Sequence, residues 1–166
     1  MRWLSWFILA YIALGIQMGL GEFVRVRGGT PNVAMLAVIF IALWAERDAA
    51  LLACFMIGAM QDLTTLAPLG LYALAYSLVG LFVTGAQDVA DREHPVTHMS
   101  VAFVSGSIVA AVLVLHGYLR GPRVPLGELF ASIIYTSILA PIVLFTLQKI
   151  RRVFAFTAHG RFSRHA

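Results

Sequence analysis

Six apolar segments occupy most of a 166-residue chain, and a carboxylate, Asp62, falls deep inside the third of them. Hydrophobic residues make up 60% of the chain and charged residues 12%, whereas a soluble domain carries about 25% charged residues. A water-soluble core of this size could not absorb so much apolar surface, so the segments are expected to cross a membrane. Little sequence lies outside them, which leaves no room for a separate catalytic domain and places function within the helices or their short loops.

The spans are expected at residues 3–24, 33–45, 49–66, 69–86, 98–119 and 126–148. At about 1.5 Å per residue most of these can cross a hydrocarbon layer of about 30 Å, although the second is short. The first is longer than the usual signal-peptide apolar core of about 7 to 15 residues. It runs into Gly19, Leu20, Gly21 and Glu22 instead of a cleavage site, so it is read as a retained helix. Thr30 and Pro31 suit a helix start, with Thr as the cap and Pro at the first helical position. Glu46, Arg47 and Asp48 form a charged turn. Residues 1–152 then make one transmembrane domain, and 153–166 a basic, aromatic tail.

An even number of spans puts both ends on one side. With the ends inside, eight basic residues are cytoplasmic (Arg2, Arg47, Arg92, Lys149, Arg151, Arg152, Arg161, Arg164) and four are outside (Arg25, Arg27, Arg120, Arg123). The positive-inside rule therefore selects cytoplasmic termini, a choice decided by the tail. The net charge of +4 is dispersed over segment ends and the tail, so nucleic acid is not expected. Lys149, Arg151 and Arg152, followed by Phe154, Phe156 and Phe162, suit anionic lipid headgroups.

Small residues predict how the helices meet, because in lipid close backbone approach replaces the hydrophobic drive. Gly15 and Gly19 form such a pair in the first span, Gly80 and Thr84 in the fourth, and Gly106 and Ala110, with Ser107 and Ala111, in the fifth. Packing within the bundle is the favoured reading over a partner-docking face. Pro141 in the last span removes the donor for the carbonyl of Ser137 and can kink that helix.

Asp62 lies thirteen residues beyond Ala49, about 20 Å along a helix, which puts it in the outer half of the membrane. A carboxylate there needs a partner. Either it faces a polar interior, with Gln61, Tyr72 and Tyr76 nearby and Arg25, Arg27, Arg120 or Arg123 as counter-ion, or the helix ends at Gln61 and Asp62, Thr64 and Thr65 cap the turn.

The stretch MIGAMQDLTTLAPLGLYALAYSLVGLFV, residues 56–83, resembles the central signature of the MreD family of bacterial rod shape-determining proteins. In that signature a Gly-rich helix ends in an acidic residue and a Leu-Gly pair opens the next helix. Gly58, Asp62, Leu69 and Gly70 hold those places, with Tyr72 and Tyr76 one turn apart. Pro31 and Asn32, before a short apolar helix, are similar to the family's Pro-Asp opening. Gln61, with the Ala-Met pair before it, departs from the leucine-rich run more usual there. The resemblance implies a non-enzymatic, cofactor-free subunit of the cell-elongation machinery in the cytoplasmic membrane. Its implied partners are MreC, MreB filaments, and a SEDS glycosyltransferase with a class B penicillin-binding transpeptidase. The family's all-α fold is similar to substrate-binding subunits of energy-coupling-factor transporters, which supplies an alternative function as a small-molecule-capturing subunit. Those subunits dock through an alanine-xxx-alanine face on the first helix, and Ala10 and Ala13 are three apart, not four.

Two weaker signals remain. His94 and His98 with Asp88, Asp91 and Glu93 carry metal-ligand chemistry, but Pro95 interrupts the helix that would align them, so a solvated loop is expected and no metal. Ser105, Ser107 and His116 could suggest serine chemistry, but nine to eleven residues on one helix separate them by about 14 to 17 Å, too far for a nucleophile and its base.

Overall fold

The computed structural model describes residues 2–20, 29–65, 68–87, 94–120 and 125–151. Among them the chain forms six helices: α1 (Arg2–Leu20), α2 (Val33–Trp44), α3 (Arg47–Thr64), α4 (Leu71–Gly85), α5 (Pro95–Arg120) and α6 (Leu126–Arg151). The expected tail, 153–166, lies outside the described residues.

The bundle is organised around α2. Its sequence, VAMLAVIFIALW, has no polar face, and a helix apolar on every side belongs in a protein core or in lipid. Residues Ala34 through Trp44 are all buried. All five other helices pack on it, in the order α1, α3, α4, α5, α6, and among the described residues α1 and α6 do not approach one another. At 12 residues, α2 is about 18 Å long, well short of a bilayer core.

Two helices are long and apolar enough to cross a membrane by length and composition, at Pro95–Leu119 and Leu126–Lys149. Shorter apolar helices occupy Ile8–Gly19, Val33–Trp44 and Leu71–Gly85. The outward side of α6 carries Leu126, Phe130, Ile134, Ile138 and Ile142, all exposed. A spacing of four residues keeps these side chains on one stripe, so the helix presents an apolar face away from the core.

Glycine sets the closest approaches. A Cβ added at Gly58 of α3 would lie 2.5 Å from Cα of Ala73 in α4, and one at Gly80 of α4 would lie 2.8 Å from Sγ of Cys54 in α3. The α3–α4 pair is thus joined backbone to backbone at one point and backbone to thiol at another. Gly106 of α5 likewise receives Ile133 of α6, at 3.3 Å from the position of its missing Cβ, with half-buried Ala110 one turn on. Gly15 and Gly19 behave differently. A Cβ at either would meet nothing within 4 Å, which corrects the expectation that this pair packs inside the bundle; α1 turns it outward and buries Leu9, Ala10, Ala13 and Leu14 instead.

Helix starts also depart from expectation. The cap of α2 is Asn32, whose Oδ1 accepts from the N–H of Met35 at 2.9 Å, so neither Thr30 nor Pro31 holds the place assigned to it. Pro95 does not interrupt a helix but opens α5, where its missing N–H costs nothing. His98 consequently falls in the first turn of α5 and is fully buried, not in a solvated loop, while His94 stays exposed just before it.

Candidate functional site

Asp62 lies in the last turn of α3 and is 3% exposed. Its Oδ2 accepts from the N–H groups of Gly70 at 2.9 Å and Ala73 at 3.1 Å, and its Oδ1 from the N–H of Tyr72 at 2.8 Å. The first N–H groups of a helix have no partner within it, so the carboxylate of one helix closes the start of the next, where the helix dipole also favours negative charge. Gly70 makes this possible: its φ of +96° is the left-handed conformation that glycine adopts without strain, and it turns the chain so that α4 begins facing Asp62. Thr64 and Thr65 close the end of α3 itself, each hydroxyl donating to the carbonyl of Gln61 at 2.9 and 3.0 Å. Asp62 is thus a cap, although α3 runs on to Thr64 instead of ending at Gln61. Its partners are backbone amides; Arg25, Arg27 and Arg123, and the side chain of Arg120, lie outside the described residues.

Beside this cap the start of α2 forms a second hydrogen-bonded centre, with Asn32 as its hub. Beyond capping Met35, Asn32 Oδ1 accepts from the hydroxyl of Tyr76 at 3.0 Å, and the Asn32 N–H donates to Thr136 Oγ1 at 3.0 Å. The N–H of Val33 donates to Gln17 Oε1 at 2.6 Å. Ser132 Oγ donates to the carbonyl of Thr30 at 2.6 Å, and Thr136 Oγ1 to that of Ser132 at 2.7 Å. Side chains from α1, α4 and α6 thus hold the end of α2, satisfying groups that would be costly to bury unpaired. Tyr72 and Tyr76 stack edge to face, ring centroids 5.8 Å apart, and so tie the Asp62 cap to the Asn32 hub.

Between these groups lies a cavity of about 210 Å³ lined by all six helices. Its polar wall comprises Gln17, Thr30, Asn32, Gln61, Tyr72, Ser132 and Thr136; its apolar wall includes Met35, Val109, Leu113, Leu129 and Ile133, and Glu128 stands at its edge. Gln61 is 6% exposed and its Oε1 has no hydrogen-bond partner among the described residues. Such an orphan is rare, because burying an acceptor without a donor costs about 1–3 kcal/mol.

The structure brings Gln61 and Tyr72 to the cavity and puts Tyr76 behind its wall; Asp62 instead faces an apolar groove with Phe55, Leu63, Leu69 and Leu74. Gly58 sits at the α3–α4 contact, and Pro31 is buried just ahead of Asn32. Lys149 is exposed near the end of α6; Arg152, and the side chain of Arg151, lie outside the described residues. Sequence reasoning missed Gln17, Ser132 and Thr136. Their only signal was polarity within apolar spans. Among the described residues no group of three His, Cys, Asp or Glu is arranged to hold a metal; Asp88, Asp91 and Glu93 lie outside them. Ser107 donates to the carbonyl of Phe103 at 2.9 Å, a local bond along its own helix.

The family model described as rod shape-determining protein MreD matches residues 1–155. No curated protein and no solved structure matches the chain.

Proposed function

The chain belongs to the MreD family of rod shape-determining membrane proteins, and from that membership we propose that it is a non-enzymatic subunit of the bacterial cell-elongation machinery, acting through MreC. The observation that carries this reading is the match over residues 1–155, which takes in every helix. The hydrogen-bonded groups support it, because their described bonds hold helix ends together. On this reading all six helices lie in the cytoplasmic membrane with both termini cytoplasmic, and the Asp62 cap and the cavity face outward. MreB filaments, a SEDS glycosyltransferase and its class B transpeptidase are the further partners, with anionic lipid around Lys149, Arg151 and Arg152.

The transporter alternative loses support. Ala10 and Ala13 are 2% and 4% exposed, so neither is available on the first helix to dock a coupling subunit. A mild-detergent pull-down of the tagged protein from its native membrane, with copurifying proteins identified by mass spectrometry, tests the proposal. Recovery of MreC and the elongation synthases is the expected result; recovery of an ATPase pair with a coupling subunit would sink it.

A further inference from the structure

We propose that the cavity at the start of α2 is a binding site for one uncharged sugar ring bearing hydroxyl and amide groups, an N-acetylated hexose in its chemistry. The inference goes beyond the subunit role and does not depend on it, since binding is read on the isolated protein.

The argument rests on which hydrogen-bonding atoms remain unspent. A backbone N–H can only donate, so the bonds from Val33 to Gln17 and from Met35 to Asn32 fix the amide oxygens of both side chains toward α2. Their NH2 groups, with two donors each, are left over. The hydroxyls of Ser132 and Thr136 are committed to the carbonyls of Thr30 and Ser132. Gln61 adds the opposite need: it lines the same cavity, and its enclosed Oε1 has no donor among the described residues. The lining therefore combines amide donors with a glutamine whose acceptor is unsatisfied, which suits a ligand carrying both C=O or hydroxyl oxygens and an N–H or O–H.

The rest of the lining is aliphatic, with Val109 and Leu113 from α5 and Leu129 and Ile133 from α6. A lining that mixes polar and aliphatic groups matches a pyranose, with its hydroxyl rim and its C–H face. The volume of about 210 Å³ equals about seven waters at ~30 Å³ each, room for one sugar ring. Every described polar lining group is neutral except Glu128, which is exposed.

The test uses the full-length protein in nanodiscs of zwitterionic phospholipid, because alkyl glycoside detergents would compete. N-acetylglucosamine, glucose and inorganic phosphate are titrated in turn and binding is followed by saturation-transfer NMR. A second arm dopes the nanodiscs with a monoglycosyl lipid and scores its retention by native mass spectrometry. The expected result is saturable N-acetylglucosamine binding, stronger than glucose, that weakens at least tenfold in Gln61→Leu without a fall in melting temperature. Retention confined to the glycolipid arm, and equally Gln61-dependent, also supports the site and identifies a lipid-linked sugar as its source. Ala110→Leu, which narrows the cavity from α5, must weaken binding as well and serves should Gln61→Leu misfold. No binding in either arm, binding indifferent to both substitutions, or tighter binding of phosphate overturns the proposal, the first outcome meaning a cavity that holds water only.

Discussion

The two ends of α2 solve one problem in opposite ways. At its C-terminal end rings fill the space: Phe40 and Trp44 lie 5.0 Å apart by ring centroid, Trp44 and His98 6.3 Å, and His98 and Phe145 5.2 Å. Gln87 reaches in to the last carbonyls, its Nε2 donating to Ala42 and, at 3.3 Å, to Ala45. At the N-terminal end short polar side chains do the work, and a cavity remains among them. Rings close a helix end by volume, whereas directed hydrogen bonds satisfy it while leaving room. That difference is why the space for a ligand lies at one end of the bundle.

The largest expected effect breaks the frame on which both ends hang. Gly58→Val should prevent folding, at a cost above about 4 kcal/mol, because the new side chain meets the α4 backbone and not a movable group; recovery of folded protein after mild extraction is the readout. Asp62→Ala should cost about 3 kcal/mol by stripping three N–H groups of a charged acceptor. Asp62→Asn should cost less, impairing rod-shape complementation while membrane insertion persists; full complementation by it would remove Asp62 from the functional argument. Asn32→Ala should cost about 2 kcal/mol through loss of the Met35 cap and the Tyr76 bond. Asn32→Asp keeps the oxygen that accepts both bonds and should be near neutral in denaturant titration. At the ring-filled end Gln87→Ala should cost only about 1 kcal/mol. If it matched Asn32→Ala, volume would not be what closes that end. Gly15→Ala should change stability by less than about 0.5 kcal/mol, since nothing lies near the added carbon.

Much of the architecture is legible in the sequence. Apolar run length located every helix to within a few residues, and the acidic residue at the end of the third span pointed to the cap. What could not be read was pairing. The partners of Asp62 depend on Gly70 turning back at positive φ, a conformation that sequence permits but does not dictate. Gln17, Ser132 and Thr136 meet Asn32 only because three helix ends converge, and periodicity within one helix carries no record of which ends meet. The lack of a polar residue in α2 fits lipid or a protein core alike, and only its short length hinted at the core. His98 looked solvated because Pro95 was read as a break where it is a beginning.

The separation of partners along the chain also orders events during synthesis. Asp62 and its amides are 8 to 11 residues apart, so the α3–α4 hairpin can be sealed almost as soon as it is made. Asn32 and Thr136 are 104 residues apart. At translation speeds of about 5–20 residues per second, the start of α2 waits roughly 5–20 s for α6 to arrive. During that interval the polar end of the central helix is open to whatever inserts beside it, which makes the last helix the step that commits the bundle.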